Sequence, residues 1–575
     1  VENGLPHHQG KHAGERPTAS AVRVPLVLLL IAALAMSFLC LAIAGVAFGS
    51  PAQQPPMVLP GATAASSYQR TTSDSGRWIL GALPGAAAER IALRSGASAV
   101  SRADGIYSIR REGANRFAGA LRRAGILVYA EPDARMLPAG YPVDLSLGTQ
   151  WWLDRIVNTI ETTPPPVTAN SPRLGLIEES LDPLHPDLVE ASIANARSIG
   201  PVEDDHGTSI AAIAGSPVET SGLPTDQNIV GVWPGMNMTL FPSGTDCITS
   251  TRAVLDAARA RIPVINMSYG FARNECFSHF VATETAVRNG VLPVAAAGNT
   301  FETGNVAMRP ASDPHVISVS AVDKDNLVAS FATRNPKVDI TAPGDGMIAP
   351  IINLPSGGGV DVERTWGEIS GTSYSSPMVA AAATWMRQAR PELTARQIFR
   401  ALTDSATDLG TPGRDAAYGE GLLNIDSALA APAPPADPGE PNNDIQWING
   451  SLLRGASPYL WKPGGPRRGV AVATLSRYKD AADVYRVRLA RKSRVLITTA
   501  QLQGDVQLRV YRPRAKTITR GRAQIIVRSD RVRPKTEGVQ VINRQRRAQV
   551  VYVSITPSAR QSDEYMRYRV SVARR

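Results

Sequence analysis

Ser373 lies in Gly371-Thr372-Ser373-Tyr374-Ser375-Ser376-Pro377, where small residues surround one hydroxyl and a helix-like run, 378–386, begins at once. A serine at a helix start faces the positive end of the helix dipole and N–H groups that have no intrahelical partner. Such groups stabilise an attacking alkoxide and a developing oxyanion. Ser and Thr are also ordinary helix caps, so this block alone leaves a purely structural role open. Upstream, His206 opens an Ala-rich stretch, His206-Gly207-Thr208-Ser209-Ile210-Ala211-Ala212-Ile213-Ala214-Gly215. Histidine is the usual base that activates a serine. Further upstream, Leu174-Gly175-Leu176-Ile177 reads as a short buried strand with Glu178 at its end. Residues 291–297 read as another buried strand, closed by Gly298-Asn299. Catalytic groups at the carboxyl ends of strands are what an open α/β sheet provides. The order acid, histidine, serine is one of those in which this triad recurs.

Six blocks in this order resemble the subtilisin-like (subtilase) serine peptidases over about 150–429. They are Ile177-Glu178-Glu179-Ser180 with His185-Pro186-Asp187-Leu188 after it, the His206 block, Val264-Ile265-Asn266-Met267-Ser268-Tyr269-Gly270, Ala296-Ala297-Gly298-Asn299, Thr341-Ala342-Pro343-Gly344, and the Ser373 block. The resemblance implies a three-layer α/β domain on a parallel sheet that hydrolyses peptide bonds through an acyl-enzyme. It also implies roles. Ser373 attacks the scissile carbonyl, and His206 takes its proton and passes it to the leaving amine. Asn299 and the Ser373 N–H hold the oxyanion. Ser268, Tyr269 and Gly270 pair with the substrate backbone as an added strand. Ala296 and Gly298, with Tyr269 near by, line the pocket for the scissile residue. No cofactor is required for this chemistry, and no Cys/His cluster has zinc spacing. Many family members bind structural calcium, but the sequence places no such site.

One departure stands out: the family's Asp is here Glu178, and the usual Asp-Ser/Thr-Gly is Glu178-Glu179-Ser180. The acid holds the imidazole tautomer and stabilises its charged form. Glu keeps the charge and adds one methylene, and Ser–His–Glu triads are known on another fold. Asp182, Asp204 and Asp205 are the other acids near enough in sequence to serve. Strand alternation would turn Glu179 to the opposite face from Glu178. The competing function is a catalytically weak or inactive subtilase fold that binds at the cell envelope.

The rest of the chain speaks to location. At 575 residues several domains are expected. Residues 24–48 form an uncharged apolar run of 25, long enough to cross a bilayer, with Lys11, Arg16 and Arg23 before it. The positive-inside rule keeps residues 1–23 in the cytoplasm and exports the chain beyond residue 48, as a signal anchor or after cleavage of a long signal peptide. A Pro- and Ser-rich linker spans 49–76. Residues 77–149 show strand and helix signals, and their position and the run Val128-Tyr129-Ala130-Glu131-Pro132-Asp133 resemble the family's α+β propeptide, an inhibitor and folding aid. The catalytic domain is then 150–430. Cys247 and Cys276 each come after an expected strand and are candidates for a disulfide in an exported chain.

A stiff Pro-rich linker is expected over 431–440. Residues 441–575 then hold 29 Lys and Arg against 8 Asp and Glu, a net +21, whereas 1–440 carry −10. Their period-two alternation, as in Val484-Tyr485-Arg486-Val487-Arg488-Leu489, predicts a β-sandwich with Arg on the wet face. The opening Asp437-Pro438-Gly439-Glu440-Pro441-Asn442-Asn443 and residues 480–489 resemble the prepeptidase C-terminal domain of secreted peptidases. The basic face fits an anionic envelope surface. Aromatic residues are too few on the polar face for base stacking, which argues against nucleic acid.

Overall fold

The computed structural model describes residues 74–102, 105–134, 150–158, 162–195, 205–218, 229–272, 275–353, 362–519, 522–529, 536–559 and 564–575. The apolar run 24–48, its flanks, the junction 135–149 and Asp204 lie outside the described residues. Among the described residues no helix is long and apolar enough to cross a membrane. The chain divides into two compact units, Val1–Met136 and Leu137–Arg575.

In the first unit, strands β1 (Asp74–Ala82), β2 (Ser98–Ser101), β3 (Ile106–Arg110) and β4 (Leu127–Ala134) form an antiparallel sheet in the order β2-β3-β1-β4. Helices α1 (Ala86–Ser95) and α2 (Arg111–Arg123) cover it, burying Ile91, Phe117 and Leu121 against Leu80, Tyr107 and Ile109. Their apolar residues fall at three- and four-residue spacing, which gives each helix one dry face.

The second unit is built on a seven-stranded parallel sheet. Its strands are β5 (Leu174–Glu178), β6 (Ile193–Asn195), β7 (Met238–Pro242), β8 (Val264–Met267), β10 (Leu292–Ala296), β12 (Ile317–Val322) and β13 (Ile340–Pro343). Their spatial order is β13-β12-β10-β8-β5-β7-β6. The inner strands are buried on both faces, so they read as continuous apolar runs. Helices α3 (His206–Gly215) and α6 (Thr372–Ala389) pack on each other, and with Leu174, Leu176, Val264 and Val294 they form the core of one face. Helices α4 (Cys247–Arg259) and α5 (Phe277–Arg288) pack on the other face, against Ile177, Ile265 and Ala295. Short β9 (Phe271–Ala272) and β11 (Met308–Arg309) pair, as do β14 (Met347–Asn353) and β15 (Glu363–Ile369). Cys247 and Cys276 form a disulfide that ties the start of α4 to the start of α5.

The last nine strands make two facing sheets. One runs β16 (Tyr459–Trp461), β18 (Asp483–Leu489), β23 (Gln549–Pro557), β20 (Val506–Tyr511), β21 (Ile525–Ser529). The other runs β17 (Arg468–Ser476), β24 (Tyr565–Arg574), β19 (Ser493–Gln503), β22 (Thr536–Asn543). Val487, Val510, Val553, Val541 and Val570 fill the space between them. Arg488 and Arg569 point to water as their alternation predicts. Arg486, on the same face as Arg488, is half-buried: its guanidinium donates to the Ser457 carbonyl at 2.6 Å and to Tyr459 Oη at 3.0 Å.

Residues 431–440 are hydrogen-bonded to the domains they join. Arg390 donates to the Ala431 carbonyl at 2.9 Å, and Gln397 to that of Pro434 at 2.7 Å. The Glu440 side chain is only 5% exposed and accepts from His315 Nε2 at 3.0 Å. Proline stiffens the segment, but the polar groups of the two flanking domains fix its path. Between those domains Lys479 is buried, donating to the Val316 carbonyl at 3.0 Å and pairing with Asp339 at 3.1 Å. Arg414 joins Asp339, Glu420 and Glu564 at 3.2, 3.4 and 3.0 Å.

Candidate active site

The chain order reverses direction between β5 and β8, the place where open α/β sheets bind ligands at their carboxyl ends. Glu178 ends β5, Ser268 comes directly after β8, and Asn299 lies just past β10. Glu178 is 5% exposed, and its Oε2 accepts from His206 Nδ1 at 2.9 Å. A carboxylate can only accept, so this contact places a proton on Nδ1 and leaves Nε2 to act as base. Glu178 Oε1 is buried without a hydrogen-bond partner among the described residues.

The start of α3 is packed against this acid. A Cβ on Gly207 would lie 2.0 Å from the Ser180 carbonyl oxygen and 3.4 Å from Glu178 Cβ, so only glycine allows the approach. Asp182 is committed elsewhere, accepting from Arg364 Nε at 2.6 Å. Asp205 sits at the N-cap position of α3. Glu179 departs from the expected alternation. The strand ends at Glu178, so the chain turns, and Glu178 and Glu179 both line one cavity with His206.

Ser373 is the second residue of α6, among the first N–H groups that lack intrahelical partners. Its Oγ donates to the Ser268 carbonyl at 3.0 Å, and Ser268 Oγ donates back to the Ser373 carbonyl at 2.7 Å. The His206 and Tyr374 rings lie 5.8 Å apart, centroid to centroid. Thr372, which sequence reasoning passed over, orients Asn299: its N–H and Oγ1 both donate to Asn299 Oδ1, at 3.0 and 2.9 Å. That leaves Nδ2 as the end presented over Gly371, where a Cβ would sit 3.3 Å from it. The adjacency of Thr372 to Ser373 was its only sequence signal. Gly298 has φ +107°, and a Cβ there would meet Met308 at 2.8 Å. Ala296 is buried at the end of β10. Tyr269 Oη shares a hydrogen bond with His279 Nε2 at 2.9 Å. Burial, then the nearby Glu178 charge, raises the Tyr269 pKa well above its usual value. Burial lowers that of His279 to about 4. Tyr269 and His279 are thus a neutral pair beside the cleft.

The structural calcium implied by the family has an oxygen-only candidate position. Carboxylates of Asp437, Glu440 and Asp483 lie within 4.8 Å of one another. Asp437 Oδ1, Glu440 Oε1 and Asp483 Oδ1 are buried without partners among the described residues. Such a set suits a hard cation.

A parallel α/β sheet with these groups at its switch point belongs to the serine hydrolase class. Residues 173–421 match the family model described as Subtilase family. Subtilisin DY of Bacillus licheniformis is 30% identical over 266 residues, covering 44% of this chain and 90% of the relative. The minor extracellular protease Epr of Bacillus subtilis (strain 168) is 30% identical over 278 residues, 46% of this chain and 40% of the relative. Fervidolysin of Fervidobacterium pennivorans, described as a keratinolytic enzyme related to subtilisin, aligns with 81% of this chain and 85% of its own at 17% identity and a TM-score of 0.43. The chain belongs to the subtilase family of serine endopeptidases.

Proposed function

We propose that this protein is an exported serine endopeptidase working through a Ser373–His206–Glu178 triad, with Glu in the place of the family's Asp. The observation that carries the reading is the 2.9 Å contact between Glu178 Oε2 and His206 Nδ1. Ser373 Oγ attacks the scissile carbonyl carbon as His206 Nε2 takes its proton. The oxyanion is held by Asn299 Nδ2 and the Ser373 N–H. His206 then protonates the leaving amine, and water repeats the sequence on the acyl-enzyme. Glu178 stays ionised throughout and stabilises the imidazolium. Ser373 leaves the Ser268 carbonyl when substrate arrives, and hydrogen bonds of this kind tighten in the substrate complex. Residues 268–270 pair with the substrate backbone, and Ala296 and Gly298 line the pocket of the scissile residue.

Residues 77–149 serve as a removable inhibitor and folding aid. Residues 24–48 cross or enter the membrane during export. The sandwich of 441–575 is a prepeptidase C-terminal-type domain whose net charge of +21 favours anionic envelope surfaces. The disulfide suits an oxidising compartment.

The test is labelling with a fluorophosphonate probe, on the full chain before and after limited proteolysis. Parent protein is expected to label and to release its 77–149 segment, and Ser373→Ala to do neither. Folded parent that never labels would favour the inactive, envelope-binding function.

A further inference from the structure

A cavity of about 300 Å³ opens beside His206, lined by three short stretches of chain, 178–179, 243–245 and 269–271. They lie at the carboxyl ends of β5, β7 and β8. In the sheet β5 runs between β7 and β8. The stretches 243–245 and 269–271 are therefore opposite walls, with 178–179 between them.

The two walls are anchored differently. Residues 269–271 run into β9, where Phe271 pairs with Arg309 of β11. A turn closed by the Glu275 N–H on the Ala272 carbonyl, at 2.8 Å, then leads to Cys276. Residues 243–245 lie between β7 and α4 and belong to neither. The Ser243 N–H donates to the Glu178 carbonyl at 2.8 Å, and the Gly244 N–H to Thr249 Oγ1 at 2.9 Å. Gly244 and Thr245 are exposed, and exposed loops held by a few hydrogen bonds open at small cost. Cys247 follows Thr245 by two residues and opens α4, while Cys276 directly precedes α5. Their disulfide holds the two Cα atoms 5.6 Å apart. Along their length α4 and α5 share a buried core of Val254, Ala257, Ala282 and Ala286, so packing keeps the helices together. What the bridge fixes is the pair of helix starts from which the two walls hang.

We propose that the Cys247–Cys276 disulfide is a positioning device for substrate, setting the spacing of the walls that receive residues N-terminal to the scissile one. Those residues stay on the enzyme through the acyl-enzyme, and a cross-link that holds a loop in its binding geometry removes the cost of ordering it. The proposal rests on the peptidase reading. It is tested on the full chain with two fluorogenic substrates that share scissile residue and leaving group. One ends at the scissile residue, and the other extends three residues further toward the N-terminus. Oxidised parent is compared with phosphine-reduced parent and with the variant Cys247→Ala, Cys276→Ala, using circular dichroism to follow the fold. Loss of the bridge is expected to lower the extended-to-short ratio of kcat/KM at least about tenfold, through a higher KM for the extended substrate. A bridge that only stabilises the fold would leave that ratio unchanged. An unchanged ratio, or a loss shared equally by both substrates, overturns the proposal. If both bridge-free forms unfold, the bridge is structural and the proposal fails.

Binding separates the two readings. The extended peptide is titrated onto Ser373→Ala, oxidised and reduced, where no turnover is needed. Weaker binding to the reduced form upholds the role of the bridge even if the parent proves inactive. Equal binding to both forms sinks it even if the parent is a fast peptidase.

Discussion

Two side chains decide whether the site works, and each is set by one neighbour. Asn299 owes its orientation to Thr372, which occupies Oδ1 with two hydrogen bonds. Asn299→Ala should lower kcat on the order of 10²–10³ with little change in KM, because the lost bond forms only as charge develops. Glu178 reaches His206 with one methylene more than the family's Asp. With that longer side chain Glu178 Oε2 already stands at hydrogen-bond distance, 2.9 Å, from His206 Nδ1. Glu178→Asp should therefore lower kcat/KM by roughly 10², the cost of about 1 Å of misplacement. Glu178→Gln, which removes the charge, should cost about 10⁴. Steady-state kinetics on one peptide substrate ranks the two. A more active Asp variant would show that the backbone is not fitted to Glu.

Among elements, the contact between the end of β5 and the start of α3 is the one that aligns base and acid. Adding a Cβ at Gly207 puts it 2.0 Å from a backbone oxygen that no rotamer can move. Gly207→Ala should destabilise the fold by about 1–3 kcal/mol, as overpacking does. It should also depress kcat/KM more than that loss explains, because α3 carries His206. Urea melts and kinetics on the same preparation separate the two effects. This contact is half legible in the sequence. The His-Gly pair is visible there, but the reason for the glycine is an oxygen 27 positions upstream, at Ser180. The same end of β5 explains why Glu179 breaks the expected pattern: alternation holds only while the strand lasts, and this strand stops one residue earlier.

At the scale of the molecule, catalytic domain and sandwich meet through buried charge. His315 lies between Glu284 at 2.7 Å and Glu440 at 3.0 Å. Burial alone would lower its pKa, but Glu284 and then Glu440 raise it to about 10. Its folded pKa is above the unfolded one, so its stabilisation is full below about pH 6.5 and is lost as pH rises toward 10. Asp437, raised to about 7 by burial and then by Glu440, adds a loss over roughly pH 4 to 7. Thermal midpoints should fall from acid to alkaline pH, and His315→Gln should flatten the upper part of that fall. A cation held by Asp437, Glu440 and Asp483 would oppose the lower part. Calcium should then raise the midpoint most near neutrality, through a stabilisation of about 2.7 kcal/mol at a hundred times its Kd, and chelator should reverse it. Asp483→Asn should abolish the calcium response. A midpoint indifferent to calcium at every pH would exclude the cation.

Sequence alone determined the family and the parallel-sheet domain, and it singled out Ser373, His206 and Asn299 as the proposed nucleophile, base and oxyanion amide, because each sits in a short block whose local spacing is its signal. It also determined the alternating, basic sandwich, because period-two patterning is local. Only the tertiary structure decided that Glu178, rather than Asp182, reaches His206. It alone put Glu179 at the cleft, tied Arg486 to Ser457 and Tyr459 and drew 431–440 into a buried charged interface. Those outcomes depend on where strands end and on which distant groups meet, such as His315 with Glu440, and a buried charge settles only where its partner is.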